Sequence, residues 1–357
     1  MPSDKFRKQP MENLTEKLIA ALAENRSLVL ATIMTHHGST PRTSGSRMAV
    51  LKDRSIFGTI GGGLLEAAVI DAALELMDSG RCRIQHFSLN KDIKDGIDMV
   101  CGGDLTVMLE SWLPDKQTLS LLRTIQEAES DRKAGVIVSV VTNGSSRTDF
   151  EVKKAVLLHG TSFGNPILPE PLVNAIENRT FSGTSPVLFS HGLEEFIITP
   201  VPVRDTVIIC GAGHVGFRLA QMAHLTDFQT IVIDDRKEFA SQERFPHAAA
   251  IRVVDRFASC FDAVSVDRHT YIVILTRGHL HDQTVLACAL KETPAYIGMI
   301  GSKPKRDQIY RNLMAKGVPP DQLSAVHSPI GIEIKAETPS EIAVSIMGQI
   351  IQKRACR

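Results

Sequence analysis

Two glycine-rich turns, an arginine loop and one cysteine carry most of the chemistry this chain can offer. The first turn is Gly58-Thr59-Ile60-Gly61-Gly62-Gly63-Leu64-Leu65-Glu66. Three glycines opening a helix can aim their N–H groups at one point, which suits a phosphate or another anion. A plain tight turn is the alternative, yet three consecutive glycines lose backbone entropy that a simple turn does not require. Just upstream, the loop 38–47 supplies hydroxyls and two guanidiniums, Arg42 and Arg47. A guanidinium matches phosphate oxygens in a two-pronged fork; a solvated loop is the competing reading. Cys101 lies in Asp98-Met99-Val100-Cys101-Gly102-Gly103-Asp104. A lone cysteine is more often a small buried apolar residue. In a polar, glycine-flanked loop it can instead approach a ligand or carry sulfur as a thiolate. The other five cysteines read as structural or incidental.

The second turn is Gly211-Ala212-Gly213-His214-Val215-Gly216, between the apolar run Thr206–Cys210 and a helical segment. A second apolar strand, Thr230–Ile233, then ends on Asp234 and Asp235. The order strand, G-x-G-x-x-G, helix, strand, acid is the dinucleotide-binding βαβ signature. Gly211 permits the tight turn, Gly213 lets phosphate approach the backbone, and Gly216 lets helix and strand pack closely. Asp234 is expected to accept from ribose hydroxyls, which favours NAD over NADP; the neighbouring Arg236 weakens that preference. His279 and His281 (276–282) and the basic turn 298–306 fall where a ligand-binding sheet edge is expected, though loop histidines are more often structural. Adjacent His36 and His37 diverge on an extended chain, so a shared metal is not expected. The sequence contains no G-x-S-x-G, Walker A or H-E-x-x-H motif.

These residues must be positioned by an α/β scaffold. In the first half, period-2 and helical patterns give a helix over 12–24 and strands over 27–35, 47–51 and 55–60. A helix over 64–77, strands over 83–89 and 104–112, and a helix over 117–128 follow. Hairpins are expected at 135–141 with 152–158 and at 186–190 with 194–201. After 203, alternating strands and helices imply a C-terminal Rossmann-like doubly wound parallel sheet. The expected division is residues 1–202, an α+β domain, and 203–357, the Rossmann-like domain, with Pro200 and Pro202 at the boundary.

The 357 residues balance 40 acidic against 40 basic side chains, which favours neither a nucleic-acid nor an anionic-membrane partner. Membrane-length apolar runs and a secretory pattern are absent. Six scattered cysteines with no C-x-x-C or zinc-type spacing fit a reducing cytoplasm, which is the expected location.

Longer motifs then add a resemblance. GSTPRTSGSRMAV (38–50), GTIGGGLLE (58–66), MVCGG (99–103), IICGAGHVG (208–216), VIDDRKEFA (232–240), TRGHLHD (276–282) and YIGMIGSKPKR (296–306) are similar to motifs of the XdhC/CoxI family, across nearly the whole chain. These are accessory factors of xanthine dehydrogenase-type molybdenum hydroxylases. The resemblance implies a chaperone without turnover of its own. It would bind sulfurated molybdenum cofactor (molybdopterin), receive it through a cysteine desulfurase and deliver it to the apo-hydroxylase. Cys101 matches the family's cofactor-binding cysteine, and Gly61, Gly62, Gly63 and Arg42 match the remaining N-terminal motif. NAD(P) is the nucleotide implied for the Rossmann domain, and a homodimer is expected, as for many two-domain accessory proteins. Glu333-Ile334-Lys335 departs from the family, which has an Asp-Ile-Gly-like stretch there. Two rival readings are an NAD(P)-dependent oxidoreductase and an NAD-sensing regulatory module; neither explains the N-terminal motifs.

Overall fold

The computed structural model describes residues 14–38, 40, 42–88, 103–142, 149–179, 181, 185–192 and 194–356. It divides into two compact units, Met1–Val203 and Arg204–Arg357.

The first unit runs α1 (Leu14–Ala23), β1 (Leu28–Gly38), β2 (Arg47–Leu51), β3 (Ile56–Gly58), α2 (Gly63–Leu76), β4 (Arg81–Ser88) and β5 (Gly103–Trp112). It continues through α3 (Lys116–Ser130), β6 (Gly135–Thr142), β7 (Asp149–Leu158), β8 (Thr161–Asn165), α4 (Glu170–Glu177), β9 (Val187–His191) and β10 (Glu194–Pro200). Its strands form one antiparallel sheet in the order β3-β2-β1-β5-β4-β7-β6-β10-β9, with β8 on the outer part of β7. Alternation in β1 shows how the layers arise. Leu28 and Leu30 point to one face, under α1 and α3 with Trp112 and Leu122; Val29, Ala31 and Ile33 point to the other, under α2 with Val69 and Leu76. The sheet curls far enough for the Arg47 guanidinium on β2 to reach the Pro200 carbonyl on β10, at 3.3 Å.

The second unit runs β11 (Thr206–Cys210), α5 (His214–Leu225), β12 (Gln229–Asp234), β13 (Ala250–Val253), a 3-10 turn (Phe257–Ser259), β14 (Thr270–Ile274) and α6 (His279–Ala289). It closes with β15 (Tyr296–Met299), α7 (Lys303–Met314), α8 (Pro320–Ser324) and α9 (Pro339–Ala355). The sheet is wholly parallel, ordered β13-β12-β11-β14-β15. Both faces are covered, which is why its strands read as continuous apolar runs. Val207, Ile209 and Val273 pack under α5 and α9; Ile208, Ile272 and Ile274 pack under α6 and α7. The doubly wound arrangement expected from the sequence is therefore present. Among the described residues no helix is long and apolar enough to cross a membrane.

Candidate functional site

In the first unit the strand registers bring the sequence motifs to one end of the sheet. Gly38 pairs with Gly103, Asp104 with Ser88, Arg47 with Thr32, and Gly58 with Met48. The loop 38–47, the glycine turn 61–63 and the two strand ends flanking 89–102 all leave the sheet there. Cys101 itself lies outside the described residues.

Gly61, Gly62 and Gly63 have φ of +136°, +81° and +65°, a run that side chains with a Cβ adopt only under strain. A Cβ at Gly62 or Gly63 would meet nothing within 4 Å, so this face of the turn is open. Part of the nest is already filled from within. Glu66, one turn into α2, accepts from the Thr59 hydroxyl and from Ile60 N–H at 3.2 Å, while Gly61 N–H donates to the Thr59 oxygen at 3.1 Å. Burial pushes the Glu66 carboxyl up, but these donors outweigh it and hold the group below its usual range. What is left for an external anion is the first turn of α2, whose N-cap Gly62 supplies no side chain. The motif reading gives Glu66 no role; an acid three residues past a glycine run is the available signal.

Of the two loop guanidiniums, Arg42 is exposed. Arg47 instead turns inside, where burial lowers its pKa against the pull of Glu129 and Glu110. Glu110 and Glu129 are each only 4% exposed. Lys154 sits 3.6 Å from Glu110 and over the Trp112 ring, and Thr15 donates to Glu129 at 3.0 Å. Sequence reasoning misses this interior charge network. Its signal is Glu110 directly after the apolar run Val107–Leu109 in β5. His36 Nδ1 accepts from Ser44 N–H at 3.2 Å and lies 2.8 Å from Ser44 Oγ, which pins the arginine loop. Among the described residues no His, Cys, Asp and Glu group is arranged to hold a metal.

In the second unit the strand order reverses between β11 and β14, the crevice where open α/β sheets bind ligands. The three glycines there have distinct jobs. Gly211, at φ +126°, lies where a Cβ would strike the Leu275 backbone, and at Gly216 it would strike the Gly211 carbonyl. At Gly213 it would meet nothing within 4 Å. Gly213 and Gly278 are the N-caps of α5 and α6 and offer no capping side chain, so two open helix N-termini stand at the carboxyl ends of neighbouring strands.

Asp234 does something other than wait for a ribose. It is 2% exposed. Its Oδ2 accepts from Ala212 N–H at 2.7 Å and from Arg236 at 3.1 Å; its Oδ1 accepts from Arg236 N–H at 3.0 Å and Nε at 2.9 Å. Burial raises its pKa, but Arg236 and the Ala212 N–H prevail and hold it below the usual carboxylate range. The Ala212 carbonyl accepts from Arg244 at 3.0 Å. Asp234 and Arg244 thus clamp both backbone groups of Ala212. The Arg236 guanidinium lies 3.8 Å from the Phe239 ring centroid, so a cation covers the carboxylate at the end of β12.

The remaining edge motifs are mostly structural. His281 packs at 5.2 Å, ring to ring, on Phe257; the His279 side chain lies outside the described residues. In the basic turn, Lys305 pairs with buried Asp282, Arg306 donates to the Ser328 carbonyl, and Ser302 caps α7. A cleft of about 780 Å³ runs along α5, bordered by Phe217, Arg218, Phe245 and Ser340.

Comparison with known proteins decides the family. A model described as the XdhC Rossmann domain matches residues 207–350, and one described as the XdhC and CoxI family matches residues 21–88. The chain belongs to the XdhC and CoxI family. Relatives agree with that membership over the full length. A protein of Bacillus subtilis (strain 168), named as a probable subunit of xanthine dehydrogenase, is 29% identical, over 96% of this chain and 98% of its own. "Molybdenum cofactor insertion chaperone PaoD" of Escherichia coli (strain K12) is 22% identical, over 99% of this chain and 92% of its own. "Uncharacterized protein YqeB" of the same organism is 24% identical, and the match spans only 44% of that longer protein. A crystal structure described as a xanthine dehydrogenase from Bacillus halodurans superposes with a TM-score of 0.76 at 26% identity, over 96% of both chains. The glycine turns of both units lie within the family-matched segments.

Proposed function

We propose that this XdhC/CoxI protein is a maturation factor that holds sulfurated molybdenum cofactor as cargo and hands it to a xanthine dehydrogenase-type hydroxylase. The observation that supports this most is the convergence, at one end of the N-terminal sheet, of the arginine loop, the open glycine turn and the strand ends leading to Cys101. That set matches the cargo's chemistry. Its terminal phosphate suits the uncapped N-terminus of α2 at Gly62 and Gly63 and the exposed guanidinium of Arg42. Its metal and sulfur ligands are soft, and the Cys101 thiol suits a soft metal. Two relatives whose names refer to xanthine dehydrogenase and to molybdenum cofactor insertion favour the same reading. A cysteine desulfurase is the proposed sulfur source, the working form is a homodimer, and the protein has no turnover of its own.

The Rossmann unit is proposed to take a nucleotide phosphate at Gly213. Because Arg236 occupies Asp234, this site does not repel a 2′-phosphate, and NADP is accepted as readily as NAD.

The test is purification from cells that make molybdenum cofactor, with bound molybdenum and oxidised-pterin fluorescence measured per chain. Near-stoichiometric pterin that falls severalfold in Cys101→Ala is expected. Pterin absent from both proteins, with nicotinamide nucleotide still bound, would transfer the assignment to the oxidoreductase or the nucleotide sensor; turnover of reduced nicotinamide separates those two.

A further inference from the structure

The connection from β12 to β13, residues 235–249, contains no helix, and the cleft of about 780 Å³ opens between it and α5. Its floor is apolar: Ala220 is 8% exposed and Phe245 only 2%. Phe217 forms a wall, its ring meeting that of Phe245 edge to face at 5.8 Å. One polar group is buried at the bottom. Thr230 borders the cleft and is 2% exposed, yet among the described residues its hydroxyl makes no hydrogen bond. The hydroxyls of Ser241 and Ser340, on the sides, are likewise without partners among the described residues.

A crease left by a helix against an irregular connection is the plain reading. Two observations argue for a ligand. A buried, unpartnered hydroxyl costs free energy that a valine at the same place would avoid. The walls are also held open. Arg244 Nη1 donates to the Ala212 carbonyl at 3.0 Å and to the Phe239 carbonyl at 2.8 Å. Arg218 donates to Gln221 at 3.0 Å and lies 5.4 Å from the Phe217 ring centroid.

The lining selects the ligand's chemistry. Phe217 and Phe245 offer stacking to a planar ring. The Thr230 hydroxyl needs a nitrogen or carbonyl on that ring, because a hydrocarbon would leave it unpaired. The guanidiniums of Arg218 and Arg244 are matched by the carboxylates of Glu238 and Glu243, so the lining favours a neutral group over an ion. The volume exceeds that of a bare heterocycle and falls among small-molecule sites, which span about 300–1,000 Å³. Serine hydroxyls and carboxylates on the sides suit a sugar. The place is distinct from the crevice at the carboxyl ends of the strands. Thr230 stands at the start of β12, at the opposite end from Asp234, and the cleft follows α5 from His214 to Gln221, about 10 Å.

We propose that this cleft binds a nucleoside, with the planar base on the Thr230 hydroxyl and the sugar beside Ser241 and Glu238. The nucleoside is either free or the end of a nucleotide. In the second form its phosphate reaches Gly213, next to His214 at the mouth of the cleft, and only that form rests on the phosphate reading of the glycine turn.

The test is isothermal titration calorimetry of the full-length protein with adenosine and with AMP. Adenosine should bind. Thr230→Val, near-isosteric, should weaken it about fivefold, the loss of about one hydrogen bond. Ser241→Ala, at a partly exposed position, should weaken it about twofold and guards against misfolding of the first variant; an unchanged tyrosine dichroism band certifies both. AMP bound more tightly than adenosine, with the advantage lost in Gly213→Ala, supports the nucleotide form. Equal affinities support the free nucleoside and remove phosphate from Gly213. No adenosine binding at millimolar concentration, even with AMP still bound, would overturn the proposal and leave the phosphate reading standing. Adenosine binding that is undiminished in the folded variants would overturn it as well, because the site would then lie elsewhere.

Discussion

Lys335 holds a left-handed backbone, φ +55°, in the exposed loop before α9. Its N–H is received by the Glu333 carboxylate at 3.1 Å, so the turn is held by a residue that does not fit it without strain. A Cβ in that region costs roughly 1–2 kcal/mol, and glycine gives back about half of that through the entropy of the unfolded chain. Lys335→Gly should therefore stabilise the second unit by about 0.5–1 kcal/mol, an increase in Tm of roughly 2 °C. Differential scanning calorimetry measures it; a lower Tm would mean that the lysine side chain contributes something the backbone argument omits. The same reasoning explains what is legible at single residues. The jobs of Gly211 and Gly216 can be read from sequence because backbone collisions follow from the motif's geometry. The state of Asp234 cannot, because its partners Arg236 and the Ala212 N–H compete with a ligand only once the loop is folded.

Helix placement in the second unit depends on one buried pair. Asp282 on α6 is 0% exposed and is bonded by the Thr276 hydroxyl two residues past β14 and by Lys305 in the first turn of α7. These contacts tie α6, α7 and the sheet edge together beside the open N-terminus at Gly278. Removing one partner of a buried pair leaves an uncompensated charge, at a cost of about 3–5 kcal/mol. Lys305→Met should show that loss in urea unfolding. The double variant Lys305→Met with Asp282→Leu should recover much of it, because no charge then remains buried. A single variant as stable as the parent would show that water reaches the carboxylate. Elements of this kind explain the limits of sequence reading. The hairpins β6-β7 and β9-β10 are legible, since each joins two β-rich runs that lie close in the sequence. The pairing of β1 with β5 and β4 with β7 is not, since it joins distant segments whose faces match only after the sheet curls. That loop 38–47 and the glycine turn leave the sheet at one end comes from the strand register, which composition does not give. The inward turn of Arg47 reverses one expectation for the same reason: Glu110 and Glu129 lie far from it in sequence.

Each unit has a core on both faces of its own sheet, so each meets the condition for folding alone. The distribution of chromophores makes this testable in the intact chain. The single tryptophan, Trp112, is buried in the first unit, and all three tyrosines, Tyr271, Tyr296 and Tyr310, lie in the second. Tryptophan emission therefore reports one unit, and the near-ultraviolet tyrosine dichroism is weighted toward the other. Residues 204–357 expressed alone should melt cooperatively with a tyrosine dichroism band, because Tyr271 and Tyr296 are fixed among Val207, Val273 and Ile346 of the same unit. In the full chain the tryptophan transition should be insensitive to Lys305→Met, while the tyrosine signal shifts with it. If the fragment lacked a tyrosine band, the second unit's core would depend on the first 203 residues, and the two signals would then move together in every variant. Independent transitions would mean that a ligand at the N-terminal sheet end stabilises the tryptophan signal alone, which allows cargo binding and nucleotide binding to be measured separately in one protein.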